Sequence, residues 1–260
     1  MKTDPASREK CNEDSVASVG ASSLQGKTLI ISVHIPKTGG AAFADVLKIV
    51  ANNILFMDYG TEPFSPTAIY RRGQFVHQPF ESIRTEELLS GRSVIHGHFR
   101  IVKYLKQFPN ASYITWLRDP VDRLASHYFF WKRSAHEHGF MNDPLCNKVI
   151  TENMSLIEFA QLDLVRNRQH EFLKPAGPQY CDFVGITEEY DRSIKLLQKL
   201  FCPELKITPQ FKNRNPDRPG GLYKLAPGIR ERILDLNELD VKTYVEGLHR
   251  FRTLCTEVGV

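Results

Sequence analysis

The sequence predicts an α/β protein: a single domain over 27–260 with a central parallel sheet flanked by helices, behind a flexible tail at 1–26. Three observations carry this. Leu29-Ile30-Ile31-Ser32-Val33 is a short, nearly continuous apolar run, the pattern of a strand buried on both faces. It is followed by a Pro36 to Gly40 turn and then by Phe43, Val46, Leu47 and Val50, spaced to share one stripe of a helix. The same alternation of strand and helix returns further along the chain, and 260 residues suit one sizeable core better than two small ones.

The first 26 residues mix Lys, Asp, Glu, Ser, Ala and Gly with almost no large apolar side chain, so burial cannot offset the entropy of ordering them. Order is expected from Thr28, with the first strand over 29–33 and the first helix ending near Asn52-Asn53. Residues 54–90 carry several Pro and Gly, and only a short helix near Thr85 to Leu89 is read there. Ser93 to Phe99 reads as a strand end and Ala111 to Leu117 as a third strand. Asp119 can cap a helix and Pro120 can occupy its first position, so a helix is expected from Pro120 to about Lys132. Phe183 to Ile186 gives another strand, with Ile194, Leu197 and Phe201 on the helix after it. Two helices close the chain, near 227–236 and 238–254, the second expected to bury Val241, Tyr244, Val245, Leu248 and Phe251.

A formal charge of +4 is too small to call for nucleic acid or a membrane surface, although it suits anionic ligands. Five cysteines, at 11, 146, 181, 202 and 255, show no Cys-x-x-Cys pair, so neither a zinc site nor a dense disulfide framework is indicated, and at least one thiol should stay unpaired. No run of about 18 apolar residues and no signal-like start is seen, which makes a cytoplasmic location the default expectation.

His34-Ile35-Pro36-Lys37-Thr38-Gly39-Gly40 follows the first strand and opens a helix, where backbone N–H groups and the helix dipole favour an anion. Glycines let the backbone approach a phosphate, and Lys37 adds a point charge; the bland alternative is an ordinary glycine turn. In a nucleotide triphosphatase loop the Lys follows the glycines, whereas Lys37 precedes both. Arg118 ends a predicted strand and Ser126 lies on the next helix, a sensible pair for a phosphate monoester, unless Arg118 and Arg123 merely pair with Asp119 and Asp122. In His96-Gly97-His98 the two imidazoles share a face, because strand side chains repeat every two residues.

The segments 34–40, 117–128 and 96–98 resemble the 5'-phosphosulfate loop, the 3'-phosphate motif and the His-Gly-His of the carbohydrate sulfotransferases, closest to the heparan sulfate 2-O-sulfotransferase branch. The resemblance covers most of 28–255 and implies a P-loop-like fold using 3'-phosphoadenosine-5'-phosphosulfate as co-substrate, without a metal. It implies that Lys37, Thr38, Gly39, Gly40 and Ala41 hold the 5'-phosphate, and that Arg118 and Ser126 hold the 3'-phosphate. Asn213 would belong to a last cofactor loop. His98 would be the general base, with His96 positioning base or acceptor and Lys37 stabilising the leaving phosphate. Gly39-Gly40-Ala41 departs from the Ser- and Thr-rich turn of many relatives, and the family's Golgi anchor and paired cysteines are not evident; the Golgi lumen would follow only if an anchor had been removed.

The implied acceptor is a carbohydrate hydroxyl, with a small alcohol, a phenol or a lipid-linked glycan as alternatives. A nucleotide-binding module without turnover and a magnesium-dependent phosphoryl transferase are the rivals from other classes. Arg71, Arg72, Arg100, Lys103, Lys132, Arg133, Arg166 and Arg168 either line a groove for an anionic sugar chain or form a solvated mixed-charge surface. Tyr128, Phe129, Phe130 and Trp131 either stack on sugar rings or join the core. Oligomeric state is open.

Overall fold

The computed structural model describes residues 28–59, 68–71, 74–76, 84–137, 139–207 and 222–260. The proposed tail at 1–26 and Asn213 lie outside them. Strand β1 (Leu29–Val33) is buried along its whole length, as its unbroken apolar run requires, and helix α1 (Gly40–Val50) follows directly. Next come β2 (Leu55–Asp58), β3 (Ala68–Arg71), β4 (Gln74–Val76), α2 (Thr85–Leu89) and β5 (Ser93–Gly97). A short α3 (Val102–Leu105) leads to β6 (Ser112–Leu117) and the long α4 (Pro120–Ser134). Helices α5 (Pro144–Thr151), α6 (Leu156–Ala160) and α7 (Arg168–Leu173) precede β7 (Phe183–Ile186) and α8 (Tyr190–Phe201). Helices α9 (Ile229–Leu236) and α10 (Glu238–Val258) complete the described chain.

The sheet order is β4-β3-β2-β5-β1-β6-β7. The five strands from β2 to β7 are parallel neighbours, while β3 and β4 extend the sheet in antiparallel sense. The predicted central parallel sheet is therefore present. The stretch 54–90, where only α2 is expected from the sequence, also supplies β3, β4 and β2, the last paired along its length with β5. Leu55 and Phe56 are buried there, but a four-residue strand ending in Asp58 offers too little period to be seen without its partner.

Packing follows the predicted stripes on most helices. Phe43, Val46, Leu47 and Val50 of α1 are at most 2% exposed, and each such side chain contributes roughly 1.5–3 kcal/mol on burial. Ile194 and Leu197 of α8 are buried and Phe201 packs against the same core. A second apolar cluster lies between α4, α5, α6 and α9, built on Val121, Leu124, Trp131, Val149, Phe159 and Ile233. Thus Trp131 is core, whereas Tyr128, Phe129 and Phe130 are half-buried.

The buried face of α10 differs from the expected one: it carries Asp240, Thr243, Gly247, Phe251, Leu254 and Cys255, and Val245 is 59% exposed. Gly247 is required because a Cβ there would lie 2.1 Å from Leu117 Cδ1, and Asp240 is inside because Arg123 meets it. Two small or polar residues on the inner face shifted the apparent stripe. Helix α4 begins as predicted: Pro120 is in its first turn, and the Asp119 carboxylate accepts a hydrogen bond from the Asp122 N–H at 3.0 Å, a cap contributing about 1 kcal/mol.

Candidate active site

Register brings the chemistry to one edge. Asp58, Gly97 and Val33 are aligned across β2, β5 and β1, so Tyr59, His98 and His34 are the next residues along three adjacent strands. One row earlier lie Met57, His96 and Ser32. Strand β6 joins β1 on its other side and ends at Leu117, placing Arg118 at the same carboxyl edge. The connections after β1 and β5 run to opposite sides of β1, which makes its carboxyl end the switch point where open α/β sheets form ligand crevices.

The loop from His34 to Gly39 is shaped by its backbone. The His34 N–H donates to Gly97 O at 2.9 Å, extending the β1–β5 ladder by one bond. Lys37 has φ 73° and Gly39 φ 99°; the first is uncommon for a residue with a side chain, and such strain concentrates at ligand sites. Gly40 is needed for a different reason, since a Cβ there would lie 1.7 Å from His34 Nε2. The lack of a side chain at Gly40 thus makes room for the His34 imidazole over the start of α1. Thr38 is fully buried and its hydroxyl donates to Ile35 O at 2.8 Å, so its side chain serves the turn. Gly40 and Ala41 stand in the first turn of α1, where N–H groups have no carbonyl partner within a helix.

Lys37 Nζ sits 3.8 Å from the centroid of the Phe130 ring on α4. Burial, with Arg118 and Arg133 nearby, lowers its pKa to about 8. Arg118 is 8% exposed and held at both ends: its N–H donates to Gln169 Oε1 and its carbonyl accepts from Gln169 Nε2, both at 2.9 Å. Its Nη1 donates to Lys37 O at 3.1 Å, which ties the β6 end to the β1 loop. The Thr187 hydroxyl, just past β7, lies 2.7 Å from Thr38 O and 3.0 Å from Leu117 O, joining the same two segments.

Both arginines have partners beyond the two neighbouring aspartates, and Arg118 faces Glu188 at 4.0 Å. Asp119 receives Arg230 at 2.6 Å, Asp122 accepts from the Tyr223 N–H at 2.9 Å, and Arg123 turns inward to Asp240 at 3.7 Å. Ser126 is half-buried on α4, one helical turn from Phe130 and therefore on the same side of the helix. The adjacent His127 has a buried Nδ1 without a hydrogen-bond partner among the described residues, and burial, then Arg123 and Lys37, holds its pKa well below the usual imidazole range.

Three imidazoles meet at the β1 and β5 ends. His34 and His96 stack with centroids 4.9 Å apart, and His34 and His98 lie 4.5 Å apart. His96 is 1% exposed and its Nδ1 is 2.9 Å from Ser32 Oγ. Burial, then the neighbouring His98, lowers its pKa to about 3, and His34 is likewise held well below the usual value by burial and by both other histidines. Gly97 stands between the pair because β2 passes close: a Cβ there would lie 1.8 Å from Asp58 O.

The basic residues expected as a groove are mostly tied locally. Arg100 pairs with Glu171 at 3.1 Å, Lys103 with Asp58 at 2.5 Å, Arg166 with Asp163, and Lys132 donates to Asn153 at 2.8 Å. Arg168 lies over Phe172, while Arg133 falls within electrostatic reach of Lys37. The side chains of Arg71 and Arg72 lie outside the described residues. Sequence reading assigned no individual role to His34, Tyr59, Gln169, Thr187 or His127, and expected Phe130 to stack on a sugar ring or join the core, not to meet Lys37. His34 opens the loop motif and Thr187 follows a strand, so both carried a signal; Tyr59 carried none while β2 was unseen.

Among the described residues, no three or more His, Cys, Asp or Glu side chains are grouped to hold a metal ion. Cys146, Cys181, Cys202 and Cys255 are buried free thiols. No described helix is long and apolar enough to cross a membrane. Fold and edge together define an α/β protein that gathers Lys37, Arg118 and three histidines at the carboxyl ends of parallel strands.

No protein-family model matches the chain, and no curated protein matches it. Among solved structures it is similar to a sulfotransferase from Alicyclobacillus acidocaldarius, at 18% identity over 86% of this chain and 96% of that one, with a TM-score of 0.43. It is also similar to mouse sulfotransferase SULT7A1 complexed with PAP, at 13% identity over 72% of this chain and 64% of that one, with a TM-score of 0.38.

Proposed function

We propose that this protein is a sulfotransferase that moves the sulfuryl group of 3'-phosphoadenosine-5'-phosphosulfate to a hydroxyl of a carbohydrate acceptor. The observation that carries the reading is the convergence, on one sheet edge, of the Lys37 loop at the start of α1, Arg118 at the end of β6, and the His34, His96 and His98 cluster. Cations gathered beside a helix N-terminus suit a donor with phosphates at both ends of its ribose. Gly39, Gly40 and Ala41 would offer N–H groups to the 5'-phosphate, with Thr38 shaping the turn, and Arg118 with Ser126 would receive the 3'-phosphate.

In this reaction the acceptor oxygen forms a bond to sulfur while the bond from sulfur to the 5'-phosphate oxygen breaks. His98 takes the hydroxyl proton, and the electron pair of the broken bond leaves on adenosine 3',5'-bisphosphate. Lys37 stabilises that charge where it grows, which lowers the barrier more than it favours the bound donor. His96, its Nδ1 engaged by Ser32 and its pKa near 3, remains neutral at working pH and fits a positioning role better than that of base.

The test is transfer of labelled sulfate from the donor to a panel of desulfated and native polysaccharides and small alcohols, with His98→Ala alongside. Expected is transfer to a polysaccharide that falls by about 10²–10⁴ in His98→Ala. Undiminished turnover in that variant would remove His98 as base. Transfer only to small alcohols would move the acceptor class, and tight binding of adenosine 3',5'-bisphosphate without transfer to any acceptor would favour a binding module.

A further inference from the structure

Tyr59 occupies an unusual place in the edge. It follows β2 as His98 follows β5 and His34 follows β1, so along the sheet His98 lies between the other two. Its phenol nevertheless reaches His34, with the hydroxyl 2.9 Å from His34 Nδ1. To do so its ring passes beside His98, edge to face with centroids 4.7 Å apart and planes at 79°. The Tyr59 and His34 rings, joined by that hydrogen bond, thus both border His98, while His34 Nε2 lies over Gly40 at the start of α1.

We propose that Tyr59 is a positioning residue for sulfuryl transfer: its hydroxyl donates to His34 Nδ1, fixing the tautomer whose Nε2–H faces the α1 loop, and its ring holds His98 in the orientation of a base. The proposal rests on the reading of His98 given above. A neutral imidazole carries one hydrogen, so the partner of one nitrogen decides what the other can do. His34 is half-buried, and desolvation with the neighbouring His98, His96 and Lys37 favours its neutral form, which leaves Nδ1 able to accept. An edge-to-face aromatic contact restricts the His98 ring, as an oriented proton acceptor needs. His34 in the loop after β1, His96 on β5 and His127 on α4 are each within electrostatic reach of His98, and the Tyr59 ring after β2 lies beside it.

Tyr59→Phe removes the hydroxyl and keeps the ring; Tyr59→Leu removes both. Nitrogen-15 spectra of the imidazoles, with His34→Asn to assign the signal, should show the Nε2–H tautomer of His34 in the native protein and a mixture in Tyr59→Phe. Tyr59→Phe should bind adenosine 3',5'-bisphosphate within about threefold of the native protein while turning over about tenfold more slowly. It should also move the acid limb of the kcat/KM profile by about half a pH unit or more, and Tyr59→Leu should lose more. A merely structural tyrosine would move neither the tautomer nor the acid limb. An Nδ1–H tautomer in the native protein would overturn the proposal, as would native turnover and profile in Tyr59→Phe when His98→Ala is inactive. Undiminished turnover in His98→Ala would remove the base reading and this proposal together.

Discussion

Two cations on neighbouring elements, Arg123 buried and Lys37 half-buried, are treated in opposite ways. Arg123 on α4 is fully buried, donates to Val165 O at 2.6 Å and faces the fully buried Asp240 at 3.7 Å. Burial lowers its pKa to about 10 and Asp240 opposes that shift, so the fold supplies its counter-charge. Lys37 rests on the Phe130 ring, and what acts on it is burial and two further cations, which bring its pKa to about 8. A cation answered from within holds helices together, here α4 to α10. A cation surrounded by others stores unfavourable energy that an arriving anion relieves, and this is the electrostatic signature expected of a binding site.

The largest effect should come from breaking the structural pair. Arg123→Met leaves Asp240 buried without its cation and should cost about 3–5 kcal/mol of stability, read as a shifted denaturation midpoint. Adding Asp240→Leu should recover most of it. Lys37→Met should do the reverse: sulfuryl transfer should fall by about 10²–10³, while the melting temperature stays or rises because a disfavoured charge is gone. If Lys37→Met unfolds the protein and Arg123→Met only slows it, the contrast between the two cations is wrong.

A smaller effect lies in the histidine cluster. His96 has a folded pKa near 3 against about 6.5 unfolded, so between these values the unfolded chain binds more protons. Its contribution is present in full above pH 6.5 and is lost as pH falls, at up to about 1.4 kcal/mol per pH unit. His34, held low for the same reason, adds to this slope. Denaturant melts of His96→Asn between pH 4 and 7 should show a shallower dependence than the native protein.

The sequence reading succeeded where a segment announces its surroundings by itself. Strands β1, β6 and β7 are mostly apolar and buried along their length, and Asp119-Pro120 starts α4 by local chemistry alone. It missed β2, whose four residues become a strand only between β5 and β3, and with β2 it missed Tyr59. It set the inner face of α10 one step aside, since Asp240 and Gly247 are inside for reasons held by Arg123 and Leu117 far away in sequence. The site divides in the same manner. Lys37, the two histidines of 96–98 and Arg118 stand in contiguous motifs, whereas the contacts that tune them, from Phe130, Gln169, Thr187 and Tyr59, arise only when distant strand ends meet.

The most direct test of the account is calorimetric titration of the native protein and Lys37→Met with adenosine 3',5'-bisphosphate from pH 7 to pH 9.5. An anion that restores the Lys37 charge must bind together with a proton above pH 8. Native affinity should therefore hold below that pH and weaken by up to about tenfold per pH unit above it, with proton uptake visible as a buffer-dependent heat. Lys37→Met should bind more weakly and without that slope. Absence of saturable binding, or an unchanged pH dependence in Lys37→Met, would contradict the claim that this sheet edge is the donor site.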